Sequence, residues 1–144
     1  MDRENSFIDF EKMFWQLSRK MKYLWTDIYT QTFPGSQSYI MSLLQQSGPL
    51  KMSELAKDLH ITAGAVTSAS NQLIEHEYIT RVWDEKDRRI VRLDLTEKGR
   101  NTLKELQIEG RKIMKYVFRD ISDSELEMLY DIFKQATINL DNVE

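Results

Sequence analysis

The residues of this chain that can do chemistry gather in two short stretches. Lys86, Arg88 and Arg89 stand close together, with Asp87 among them and Arg92 just beyond. Cationic side chains at a loop tip neutralise phosphates, and an arginine there can enter a narrow minor groove, where the negative potential is deep. An aspartate two residues before an arginine can accept from its guanidinium and set its direction. The second stretch opens at Thr62 and continues through Gly64, Thr67, Ser68, Asn71 and Gln72. On a helical wheel Gly64, Thr67, Ser68, Asn71 and Gln72, with Glu75 at the far end, lie opposite Val66, Ala69, Ser70 and Leu73. Small residues let a backbone approach a groove closely, and hydroxyls and carboxamides pair with base edges and phosphates. Taken singly, each stretch also reads as plain solvated surface. Against that, an idle helix face is more often filled with Lys, Glu and Gln, and Gly64 costs its helix up to about 1 kcal/mol relative to alanine.

Other chemistries find no support in the residue pattern. No nucleophile–base arrangement, no metal-ligand spacing and no glycine-rich phosphate loop stands out, so no catalytic residues, no metal site and no cofactor are expected. The chain has no cysteine, which excludes disulfides, thiolate metal sites and thiol redox switching. Its two histidines, His60 and His76, flank the polar helix without an evident ligand pair and read as turn and helix-end residues. The opening MDRENSF is polar and unlike a secretory signal, and no apolar run approaches the roughly 18 residues of a membrane span. A cytoplasmic protein without a membrane partner is the expectation.

The elements that would position these residues are legible in the spacing. Phe7, Phe10, Phe14, Leu17, Met21, Leu24 and Ile28 alternate steps of three and four, a heptad-like seam on a helix from about Ser6 to Gln31. Ile8, Trp15 and Trp25 lie off that seam, so more than one face is apolar. Such a helix either covers a core broadly or also packs against a second subunit. Phe33-Pro34-Gly35-Ser36 breaks the run, and Ser36 is placed to cap a second helix carrying Tyr39, Ile40, Leu43 and Leu44. After Ser47-Gly48-Pro49 comes a short extended stretch, Leu50-Lys51-Met52. Ser53 is then expected to cap a short helix to Leu59, and Thr62 a longer one to about Glu75. With core positions at Leu55, Ala56, Leu59, Ile61, Val66 and Ala69, this pair has the pattern of a helix-turn-helix. Tyr78–Val82 and Ile90–Leu95 read as strands of a hairpin whose loop carries the basic cluster, the geometry of a winged helix. Thr96 caps a further helix with Leu103, Leu106, Gly110, Ile113 and Val117. Ser122 with Glu125 makes a capping box for the last, with Leu126, Leu129, Phe133, Ala136 and Leu140.

The overall charge of −3 looks unfavourable for a polyanionic partner. Its distribution removes the objection. Residues 1–50 carry 5 basic and 5 acidic groups, residues 51–100 carry 9 and 9, and residues 101–144 carry 6 and 9. The acidic excess belongs to the C-terminal helices, and the helix-turn-helix segment is neutral.

The run from Ser36 to Leu106 resembles the MarR family of bacterial transcription regulators. The residues that carry the resemblance are Ser53-Glu54-Leu55-Ala56 with Leu59, then Leu73, Ile79 and Arg81. The most specific are Asp87-Arg88-Arg89 and Leu95-Thr96-Glu97-Lys98-Gly99-Arg100. The resemblance implies a mainly α fold with a small β-hairpin, a single MarR-like domain over residues 1–144. Its winged helix DNA-binding region would span 36–100, flanked by dimerisation helices at 6–31 and 101–144. It implies a homodimer on a pseudo-palindromic double-stranded operator, a repressor released by a small aromatic or phenolic effector. The DNA-binding residues would be Thr62, Gly64, Thr67, Ser68, Asn71, Gln72, Lys86, Asp87, Arg88 and Arg89. Trp25, Tyr29, Phe33 and Tyr39 would line the effector pocket. The same architecture also suits a winged-helix dimer that binds protein rather than DNA; the wing discriminates, because only a DNA binder needs Arg89. His60 and Glu77 stand where the family usually has glycine, and Ala63-Gly64-Ala65 replaces longer polar residues, which shifts the expectation toward backbone approach and DNA shape.

Overall fold

The structure, a computed structural model, describes residues 2–143. Six helices and three short strands follow in the order α1 (Arg3–Thr32), α2 (Gln37–Ser47), β1 (Leu50–Lys51), α3 (Met52–Leu59), α4 (Ala63–Glu75), β2 (Ile79–Trp83), β3 (Val91–Leu95), α5 (Glu97–Val117) and α6 (Asp123–Asp141). The chain divides into two compact units, Met1–Gly110 and Arg111–Glu144.

Most helix boundaries are set by local side-chain chemistry. Thr62 is extended (φ −71°, ψ 155°) and its hydroxyl accepts from the Ala65 N–H at 3.1 Å, the expected cap of α4. Ser122 and Glu125 exchange hydrogen bonds as a capping box at α6. α1 begins three residues earlier than the seam suggests, because the Asp2 carboxylate accepts from the Glu4 N–H. Two expected caps are absent. Ser36 has helical angles (φ −68°, ψ −14°) and its side chain makes no capping bond, since the turn through Gly35 already delivers the chain in helical geometry. Ser53 lies inside α3, not before it. Leu50 and Lys51 are paired in a strand, and the extended Lys51 hands the chain directly to Met52.

That pairing also enlarges the expected hairpin. β1 joins as a third strand in the antiparallel order β1-β3-β2, with Leu50 opposite Leu93 and Lys51 opposite Arg92. β2 and β3 pair from Ile79↔Leu95 to Trp83↔Val91, one residue later than the spacing suggests for the first strand. β3 buries Leu93 and Leu95 and leaves the alternate residues partly exposed, as the alternation requires.

The core lies where α2, α3, α4, the sheet and the start of α5 meet, around Ile40, Leu44, Leu55, Val66, Leu73 and Leu93. Each such side chain contributes about 1.5–3 kcal/mol by leaving water. His60 closes α3 in the left-handed region (φ 53°, ψ 41°), with the Ile61 N–H donating back to the Ala56 carbonyl; this is the turn of the helix-turn-helix. Glu77 (φ 64°) makes a similar left-handed turn before β2.

Ser70 faces inward from α4 as the wheel requires, and it is fully buried. Its hydroxyl has no hydrogen-bond partner among the described residues. A buried hydroxyl left unpaired costs free energy that alanine avoids. Ser70→Ala is therefore expected to raise unfolding free energy by about 1 kcal/mol; a urea midpoint that falls instead would contradict this.

Candidate nucleic-acid interface

Thr62, Gly64, Thr67, Ser68, Asn71 and Gln72 all lie on the exposed side of α4. Four of them are already engaged within the chain, Thr62 as the cap of α4. Thr67 Oγ1 donates to the Ala63 carbonyl at 2.9 Å, Asn71 Oδ1 accepts from Arg81 Nη2 at 3.4 Å, and Gln72 Oε1 accepts from Gln37 Nε2 at 2.6 Å. At Gly64 an added Cβ would meet only Thr62 Oγ1, at 4.0 Å. The chain's own packing therefore does not require glycine there.

The wing is more ordered than a charged loop needs to be. Asp87 accepts three bonds from Arg89, from its backbone N–H and from Nε and Nη2, each at 3.0 Å. The guanidinium is thus held by a two-point carboxylate clamp, yet the Arg89 side chain remains 90% exposed. Behind it, Asp84 ties the loop together. Its Oδ2 accepts from the N–H groups of Lys86 and Asp87, and its Oδ1 accepts from Arg92 Nη1 at 3.0 Å. Residue type groups Arg92 with the basic cluster and gives Asp84 no role, though an aspartate followed by free backbone N–H groups at i+2 and i+3 is a turn signature. Lys86 and Arg88 are exposed and form no ion pair among the described residues.

The N–H of Asp87, with Arg92 and the N–H of Lys86, holds the Asp84 carboxyl below the ordinary aspartate range. Arg89 does the same for Asp87, and Asp87 in turn raises the guanidinium. A carboxyl depressed on folding contributes stability that is present above its unfolded pKa of about 3.9 and is lost as pH falls through the folded value. Amide exchange at Lys86, Asp87 and Arg89 should therefore follow intrinsic rates scaled by one constant protection from about pH 5 to 8, with protection lost below about pH 4. Protection that disappears near neutral pH would rule out this carboxylate brace.

Between α4, the sheet and the wing runs a groove of about 850 Å³, bordered by Lys51, Thr67, Asn71, Arg81, Trp83 and Arg89. It joins the polar helix face to the wing in one surface. Lys51, Arg81 and Trp83 belong to that surface because β1 and β2 carry them there, a placement that follows from strand pairing rather than from residue type.

Trp25, Tyr29 and Tyr39 do come together, with Ser38, Ser42 and Gln107, around a shallow depression of about 260 Å³. Burial pushes the Tyr29 phenol pKa up. Phe33 does not border this depression: it is fully buried and packs edge-on against Tyr78, ring centroids 4.9 Å apart. An apolar ring next to Pro34 enters the core once α1 ends at Thr32. Among the described residues no cluster of His, Asp and Glu is placed to hold a metal ion, and no helix is long and apolar enough to cross a membrane.

The MarR family model matches residues 35–91, the segment from the start of α2 to the start of β3. Over that segment the chain resembles the MarR family. The chain is 29% identical over 136 residues to the HTH-type transcriptional regulator YpoP of Bacillus subtilis, across 92% of its own length and 94% of that protein's. Its fold superposes on a MarR family protein from Bacillus stearothermophilus with a TM-score of 0.83, at 20% identity, over 99% of this chain and 100% of that one. A mutant of S. aureus MepR bound to an oligodeoxyribonucleotide shares the fold at a TM-score of 0.68 and 20% identity, over 91% and 97% of the two chains. The architecture is therefore the winged helix-turn-helix of MarR-family transcription regulators.

Proposed function

We propose that this protein is a homodimeric, sequence-specific DNA-binding regulator that acts in the cytoplasm, not an enzyme. In this reading the two copies of α4 enter successive major grooves of a pseudo-palindromic site, and the two wings place Arg89 in the adjacent minor grooves. The observation that carries it is the Asp87–Arg89 clamp: a cation aimed and almost fully exposed, at the end of a groove that begins on the polar face of α4. A side chain braced in this way loses little freedom when it meets a phosphate or a base edge. The bare Gly64 surface supports close backbone approach.

The dimer is supported by what the helices leave uncovered. No residue of α1 or α6 is buried, and Phe7, Phe10, Trp15, Leu126, Phe133 and Leu140 are all exposed. Apolar rows of that extent mark an interaction surface. Occupying a promoter excludes polymerase, so the sign of regulation in this reading is repression. A small aromatic or phenolic acid at the Trp25–Tyr29–Tyr39 depression is the proposed releasing signal.

Titration against the promoter region of its own gene, at several salt concentrations, tests the function. Log affinity should fall linearly with log salt, at about 0.9 per phosphate neutralised, and should exceed that for unrelated duplex. Affinity that is equal for both duplexes would leave no sequence-specific regulator. Sedimentation of the full chain should show a dimer.

A further inference from the structure

Gln72 offers a carboxamide to the proposed DNA surface, and a free glutamine side chain pairs with adenine through both ends: its N–H donates to N7 and its oxygen accepts from N6. In this protein the oxygen end already accepts one bond. Gln37, at the first turn of α2 and largely buried, donates from Nε2 to Gln72 Oε1 at 2.6 Å. Gln72 itself is exposed. Its amide nitrogen keeps two donors, while Oε1 keeps one lone pair beside the bond from Gln37.

Resting on the DNA-binding reading above, we propose that Gln37 is a specificity-determining positioning residue: by holding the oxygen end of Gln72 it turns the amide nitrogen to the bases, a reader that prefers guanine over adenine. Guanine presents two acceptors in the major groove, N7 and O6. Adenine presents N7 beside its N6 donor, so an amide held with its nitrogen outward satisfies one contact and sets N–H against N–H at the other. Gln37 is suited to this task because α2 packs on α4 through the core, with Ile40, Leu44, Val66 and Leu73 fully or almost fully buried. The donor is therefore supplied by a fixed wall rather than by a mobile surface side chain. It is also short-range: no second carboxamide needs to move when DNA arrives.

The test is selection from a library of duplexes randomised across the site that the full-length protein protects. Comparison with Gln72→Ala identifies the base pair in each half-site whose preference depends on Gln72. The wild type should favour guanine over adenine there by about fivefold or more, the range expected of one groove contact. Gln37→Leu removes the donor at similar volume and frees Gln72 to pair bidentately. Its preference at that pair should fall below about twofold or invert to adenine, with the rest of the selected site unchanged. Gln37→Met serves the same purpose should leucine lower the melting temperature. Retention of the guanine preference in both variants, or a wild-type preference for adenine at that pair, overturns the role of Gln37 while leaving DNA binding intact. Selection of no site by the wild type overturns the DNA-binding reading and this one with it. A purely structural role for Gln37 would lower affinity for all sites equally and leave the base preference where it was.

Discussion

Replacing Arg89 with alanine is expected to weaken specific DNA binding about a hundredfold while leaving the fold intact, roughly tenfold for each wing of a dimer. The loss should be large because the residue is committed before DNA arrives. Asp87 holds the guanidinium through Nε and Nη2, and Asp84 with Arg92 holds the backbone that carries both. The fold should survive because the side chain is 90% exposed and an exposed ion pair adds little to stability. The salt dependence gives a second readout. Two fewer cationic contacts per dimer should lower the slope of log affinity against log salt by about 2. Asp87→Asn keeps the cation but weakens its clamp, so it should lower affinity less than Arg89→Ala and leave the slope near the wild-type value. Arg89→Ala with wild-type affinity and slope would remove the wing from the interface and favour a scaffold that docks protein.

The second large effect is on stability. Gly99→Ala should destabilise the protein by about 1–3 kcal/mol, toward the upper end, because overpacking here meets backbone rather than a flexible side chain. A Cβ on Gly99 would run into the Tyr78 carbonyl oxygen and lie 3.4 Å from Met41 Cε. The contact is tight because the first turn of α5 is tied to the segment leading into β2. The Thr96 hydroxyl donates to the carbonyls of Glu77 and Tyr78 and accepts from the Gly99 N–H, while Lys98 Nζ donates to the His76 carbonyl and sits over the Tyr78 ring. The Leu95-Thr96-Glu97-Lys98-Gly99 motif is thus a clasp that closes the winged domain just after α4. For a chain of 144 residues that cost corresponds to a melting temperature lower by roughly 5–10 °C. An unchanged melting temperature would mean that the α5 contact yields without cost.

These two residues mark how far a sequence alone reaches. The Asp87–Arg89 spacing, the Thr62 cap, the Ser122–Glu125 capping box and the inward set Val66, Ala69, Ser70 and Leu73 are all written in spacings of two to seven residues. Bonds and periodicities that short are formed by the chain with itself, so residue order determines them. The element order, the helix-turn-helix and the basic hairpin follow from the same local physics.

What residue order left open was settled by where the chain returns to itself. The pairing of Leu50-Lys51 with β3 made a third strand, moved the start of α3 ahead of Ser53 and carried Lys51 into the groove. Phe33 went into the core instead of bordering the aromatic depression, because it packs on Tyr78, 45 positions away in a chain that must first build α2, α3 and α4. Gln37 reaches Gln72 only across the α2–α4 packing. Such contacts depend on packing between distant segments, whose partners no local spacing encodes. The sequence by itself determined the parts of a winged helix and the chemistry at its tip; the tertiary structure decided which polar groups that chemistry leaves free.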